Sequence, residues 1–141
     1  FQVVQSTGMN ILVKTGKAWF NNTWTLNDND LSLLVTNSDL ILPRIDTVAL
    51  EVNEALASRT NTIKMVNGTA NAIPVAPTLT NTAEVHQYPL AYVYVTAGTS
   101  TIINADITQV VGTIACPFIV FPEPAVTDGD AADVLKVQIF T

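Results

Sequence analysis

Gly16-Lys-Ala-Trp-Phe-Asn-Asn-Thr-Trp-Thr25 holds both tryptophans of the chain, set symmetrically about an Asn-Asn pair. Asn tolerates the positive φ angles of a two-residue turn, so Lys17–Thr25 reads as a tight antiparallel hairpin. Phe20 then faces Thr23, and Trp19 faces Trp24 in a non-hydrogen-bonded pair, where side chains approach most closely. Both indoles fall on one face of the hairpin, while Ala18 and Phe20 alternate to the other. The spacing needs no ligand to explain it. Packing of the two indoles in the core or at a subunit interface is the expectation, and a flat platform for a sugar ring is the alternative.

Outward from this hairpin the same pattern repeats. Short β-branched or aromatic runs are separated by Gly, Pro, Asn and Asp, and helical periodicity is hard to find. Candidate strands are Asn10–Lys14, Lys17–Phe20, Thr23–Leu26, Leu31–Thr36, Arg44–Val52, Arg59–Val66, Ala91–Thr96 and Val134–Phe140. Within Arg44–Val52, Val48, Leu50 and Val52 share a face that Arg44 and Asp46 extend at period two. Val52–Ser58 reads equally as a helical turn or a hairpin loop. Asn67-Gly68 is a strong positive-φ turn signal after a strand. Pro74 and Pro77 cannot donate ladder hydrogen bonds, so Thr69–Thr82 is expected to run extended along an edge or between subunits. The fold class that follows is all-β, an antiparallel β-sandwich or jelly-roll-like barrel with little or no helix. No internal repeat or domain boundary stands out, so residues 1–141 read as one module. The chain opens on Phe1 without Met or a basic leader pattern, and reads as a fragment or processed product.

Composition narrows the partners. Apolar residues make up 48% of the 141 residues and charged residues 13%, against roughly 25% charged in an average soluble domain. A chain so poor in charge is expected to bury surface against other subunits. Its net charge of −6, with only six scattered Lys and Arg, excludes a phosphate-neutralising surface and so a nucleic acid or anionic membrane partner. Cys116 is the sole cysteine and reads as a buried, inert thiol.

Chemistry is sparse. His86 is the one histidine, too few for a Ser-His-Asp or zinc arrangement without further ligands. Asp128, Asp130 and Asp133 form the one candidate metal cluster, read first as a solvated acidic turn because the spacing is not that of a calcium loop. Acids available for glycoside hydrolysis are scattered (Asp28, Asp30, Asp46, Glu51 and Glu54), and Asp28 and Asp30 sit in a polar turn. Arg44 and Asp46 point the same way on one strand and read as a structural ion pair. Asn21-Asn-Thr23 and Asn67-Gly-Thr69 match a glycosylation sequon and read more simply as turns. No catalytic residues and no cofactor are expected. Trp19, Trp24, Tyr88, Tyr92 and Tyr94 remain as saccharide or interface contacts, with Tyr92 and Tyr94 on one face of a strand.

Taken in order, Gly8-Met-Asn-Ile-Leu-Val13, Gly16-Lys-Ala-Trp-Phe-Asn21, Leu42-Pro-Arg-Ile-Asp-Thr-Val48, Asn67-Gly-Thr-Ala70 with Pro74 and Pro77, His86-Gln-Tyr-Pro-Leu-Ala-Tyr92 and Ala105-Asp-Ile-Thr108 form a series. This series resembles a family of tail structural proteins from bacteriophages and prophages of Gram-positive and gut bacteria, which includes baseplate and receptor-binding proteins. The resemblance spans Phe1 to Pro117. It implies an all-β module of a longer, often trimeric chain that anchors or connects the host-adhesion apparatus in the virion, beside other tail proteins, after synthesis in the host cytoplasm. It implies no catalytic role for Pro43-Arg-Ile-Asp46. Many relatives carry Asp and Arg after the Ile-Thr of the last segment. Here Gln109-Val-Val-Gly-Thr-Ile-Ala-Cys-Pro117 follows instead, as in one subset, and residues 118–141 diverge from the pattern. The leading expectation is therefore a non-enzymatic phage tail module that assembles as an oligomer. The alternative is a module that itself recognises host cell-surface polysaccharide, and a polysaccharide-degrading domain using Asp46 or Glu51 stands third.

Overall fold

The computed structural model describes residues 1–20, 23–114 and 116. The Asn21-Asn22 turn, the acidic cluster Asp128, Asp130 and Asp133, the strand expected at Val134–Phe140 and the divergent segment 118–141 lie outside the described residues. The elements are β1 (Val3–Gln5), β2 (Asn10–Val13), β3 (Gly16–Phe20), β4 (Thr23–Asn27), β5 (Leu31–Leu34), β6 (Arg44–Asn53), β7 (Thr60–Val66), β8 (Val85–Val95) and β9 (Ile107–Gln109), with one 3₁₀ turn at Asn104–Asp106. They form three antiparallel sheets ordered β1-β2-β5, β3-β4 and β7-β6-β8-β9. The all-β class stands. Of the two expected architectures the sheets adopt the open, sandwich-like one, and no barrel closes among the described residues.

The core lies between the four-stranded sheet and the two smaller ones. From β6 it takes Val48, Leu50 and Val52, as period-two alternation requires. Across from them sit Ile11 and Val13 of β2, Ala18 and Phe20 of β3, and Val35. Each Val, Leu, Ile or Phe side chain among these contributes roughly 1.5–3 kcal/mol when taken from water. Side-chain amides fasten the layers at one edge. Gln109 on β9 accepts the Val3 N–H at its side-chain oxygen and donates from its side-chain nitrogen to the Val3 carbonyl. Gln5 N–H donates to Asn104 Oδ1 at 2.8 Å, and Asn104 N–H donates to Gln5 Oε1 at 2.7 Å. The amides thus extend β1 towards β9 as a further ladder rung would.

Strand β8 begins six residues earlier than expected, because its N-terminal half runs through Pro89. The register explains how a proline is accommodated. Val48 pairs with Ala91 and the next residue, Ala49, with Pro89, so Leu90 is a bulge with no partner on β6. Leu90 is fully buried. The bulge also inverts the alternation along β8. Tyr88 turns to the core face, where its ring meets Phe20 at 83°, while Tyr92 and Tyr94 stay on the outer face opposite Thr47 and Ile45.

Arg44 and Asp46 form a buried ion pair at the start of β6. Arg44 Nε donates to both Asp46 oxygens at 2.9 and 3.1 Å, and its two Nη atoms donate to the carbonyls of Asn37 and Thr36. Asp46 Oδ1 in turn accepts the backbone N–H of Gly68 at 2.8 Å. One ion pair thereby fixes the approach to β6 and the exit from β7. The exit admits only glycine, since a Cβ at position 68 would lie 2.0 Å from the Ile45 carbonyl oxygen. Beyond Gly68 the Pro-containing segment donates from Asn71 N–H to Pro43 and passes near Ile45, Tyr92 and Tyr94 at Ala76. It then pairs with the β8 edge through Thr80 and Gln87. The expected extended edge segment is seen at its C-terminal end, and its middle skirts the sheet. Val52–Ser58 resolves as the end of β6 and a hairpin loop, closed by Ser58 and Arg59 N–H groups on the Ala55 carbonyl.

Candidate functional site

The β3–β4 hairpin has the register its sequence dictates, with Phe20 opposite Thr23 and Trp19 opposite Trp24. Ala18, Phe20 and Thr25 are buried beneath it. The two indoles share the other face, and that face is open: Trp19 and Trp24 are each 54% exposed, beside an equally exposed Leu26. Packing of the tryptophans in this chain's own core is thus corrected. The inner face was already filled by Ala18 and Phe20, so alternation left the indoles outside. Their centroids lie 6.4 Å apart at an interplanar angle of 52°, a tilted pair and not the parallel surface on which one flat ring would stack.

The hairpin is a two-stranded sheet. With Phe20 and Thr23 as the hydrogen-bonded closing pair, Trp24 and Leu26 direct their backbone N–H and C=O groups away from β3. On that side lies a cleft of about 540 Å³ between β4 and the β6–β7 hairpin, lined by Trp24, Leu26, Asn53, Glu54, Arg59 and Asn61. Asn61 spans its floor, donating to Thr25 Oγ1 at 2.6 Å and Thr23 Oγ1 at 3.0 Å. Arg59 is the one described non-glycine residue with positive φ, at 44°. A conformation of this kind costs of order 1 kcal/mol or more and recurs at binding sites.

A second apolar surface lies at the start of β6. Leu40 and Ile41 are 86% and 82% exposed, and Ile73 and Val75 on the neighbouring loop 82% and 72%. Asn71 N–H donating to Pro43 joins the two loops. Neither tip is loose. Asp39 Oδ1 accepts both Ile41 and Leu42 N–H at 2.8 Å, and Asn71 Oδ1 accepts Ile73 N–H. The Leu42 and Ile41 N–H groups, in that order, hold the Asp39 carboxyl below its ordinary range.

The tyrosines divide. Tyr92 and Tyr94 share the outer face and border a cavity of about 350 Å³ with Asp106 and Thr108, whereas Tyr88 meets Phe20 on the inner face; Tyr88 and Tyr92 are both partly buried against the core. The carboxylates divide too. Asp46 lies on the inner face of β6 and Glu51, five residues on, on the outer face. Two such groups cannot flank one glycosidic bond. Glu51 is engaged by Lys64 and by Gln87 Nε2 at 2.6 Å, and these, Lys64 first, hold its carboxyl below the ordinary value. Asp30 pairs with Lys14, and His86 Nδ1 contacts Asn81 Oδ1 at 2.7 Å. Cys116 is buried. Among the described residues no three acidic, His or Cys side chains are grouped for a metal, and no helix is long and apolar enough to cross a membrane. The cleft and the loop surface were not legible as sites in the sequence. Adjacent exposed apolar residues at Leu40-Ile41-Leu42 were the available signal.

The geometry defines an open antiparallel β module with apolar side chains held outward on ordered elements. Compared with protein-family models, with curated proteins and with solved structures, the chain matches none.

Proposed function

We propose that the chain is a non-enzymatic structural module of a phage tail (baseplate, tail tip or fibre) that assembles as an oligomer, in threes as the resemblance implies, and anchors or connects the host-adhesion apparatus. The observation that carries the assembly part of this reading is the outward apolar set. Trp19, Trp24 and Leu26 lie on a ribbon whose β4 edge pairs with no third strand among the described residues, and Leu40, Ile41, Ile73 and Val75 lie on loops braced by Asx turns. Large apolar side chains grouped on ordered surface favour a protein partner, and unpaired strand edges favour sheet continuation. The phage assignment rests on the ordered sequence motifs. Mass spectrometry of purified particles tests it: the chain should be present in fixed stoichiometry with other tail proteins, and its absence would reject the assignment.

A second reading, recognition of host cell-surface polysaccharide by the module itself, is favoured by one arrangement. Trp24 offers an aromatic wall to a cleft whose other side carries Asn53, Glu54, Arg59 and Asn61, the mixture of apolar face and polar groups that holds a sugar. Titration with host wall polysaccharide should then perturb Trp24 fluorescence, and silence across the host's own polysaccharides would exclude it.

A further inference from the structure

We propose that Asn67 is a latent deamidation site, kept unreactive in the folded chain by the buried Asp46 carboxylate. Asn followed by Gly is the most reactive pairing for this chemistry, because a residue without Cβ lets its nitrogen reach the preceding side chain. The Gly68 nitrogen gives up its proton and attacks Asn67 Cγ. The N–Cγ bond forms, the Cγ–Nδ2 bond breaks and ammonia leaves with the displaced proton. Water then opens the succinimide to aspartate or isoaspartate, so the net change is one water consumed and one ammonia released. Asn67 is exposed, so water has free access.

The attacking nitrogen is not available. Its N–H donates to Asp46 Oδ1 at 2.8 Å, and that carboxylate is fully buried and held by Arg44 Nε through both oxygens. Two effects oppose the reaction. The hydrogen bond must break before ring closure, and a neighbouring negative charge disfavours the amide anion that attacks. The Gly68 backbone has no room to swing, since even a Cβ there would meet Ile45 O at 2.0 Å. Opening of this contact starts a slow, irreversible change. Isoaspartate lengthens the main chain by one methylene where it passes Ile45 with no space to spare, and adds a negative charge beside Asp46. The anchor of the segment from Gly68 to Thr80 is then lost.

Peptide mapping of the full chain at mildly alkaline pH tests this. Folded Asp46→Asn, which keeps an acceptor but removes the charge and weakens the hold of Arg44, should deamidate at Asn67 several-fold faster than wild type. An unchanged or slower rate would overturn the proposal, the slower rate marking Asp46 as the base that starts the attack. Where Asp46→Asn does not fold, the wild-type chain decides. Deamidation that rises in step with Gly68 amide exchange across sub-denaturing urea supports the lock. Deamidation as fast in the native chain as in the unfolded one rejects it.

Discussion

At the scale of single residues, charge is placed where it fixes backbone. Arg44 and Asp46 satisfy each other and then bind the Thr36, Asn37 and Gly68 backbone. Removing either partner leaves the other charge buried and uncompensated, which costs about 3–5 kcal/mol. Arg44→Ala should therefore lower the unfolding free energy extrapolated from urea titration by that amount, whereas an exposed pair such as Lys14–Asp30 should tolerate Lys14→Ala within about 1 kcal/mol. The Arg44–Asp46 pair was legible in the sequence from period-two spacing alone. Glu51 was not, because its partners Lys64 and Gln87 come from two other strands. Its folded carboxyl lies below the ordinary 4.5, so its stabilising contribution is present above that value and is lost as pH falls through the folded pKa. The stability difference between wild type and Glu51→Gln should accordingly be constant near neutrality and shrink below pH 4.5. A difference that persists unchanged into strong acid would show that the ionised form is not what matters.

Among the elements, regular alternation was readable and its interruptions were not. The hairpin register at Trp19 and Trp24 follows from two turn residues between β-prone runs, and β6 from a long apolar alternation. β1 and β9 are three residues each, too short to show a period, and depend on the Gln109 and Asn104 amides. The N-terminal half of β8 was concealed by Pro89, which a regular ladder would reject. The Leu90 bulge removes that conflict and sends Tyr88 inward. Truncating the bulge residue, Leu90→Ala, should cost about 2–5 kcal/mol as a cavity in the core. Deleting Leu90 should do something different: it removes the bulge but leaves Tyr88 opposite Leu50 on the core face. The expected sign is a near-ultraviolet aromatic circular dichroism that is kept, while the core loses the Leu90 side chain and stability falls.

For the molecule as a whole, the low charge of the sequence raised the expectation of surface shared with other subunits without naming the residues. Three-dimensional placement shows which apolar side chains face outward. The strand face opposite Phe20 could have lain in the core or outside, and only the filling of the inner face by Ala18, Phe20 and Thr25 settles which. What emerges is a scaffold whose Arg44 and Asp46 are engaged inward and whose Trp19, Trp24, Leu40, Ile41, Ile73 and Val75 are held outward. Because the indoles lie outside the chain's core, Trp19→Thr with Trp24→Thr should leave the isolated fold intact, at a cost of about 0.5–1.5 kcal/mol for the aromatic pair plus the area that each half-exposed ring buries. The same double substitution should weaken association far more. Sedimentation equilibrium of the full-length chain, wild type beside this double variant, tests the assembly reading most directly. The account predicts a defined wild-type oligomer, three copies per particle, that dissociates in the folded variant. A wild-type chain that stays monomeric across the accessible concentration range would contradict it.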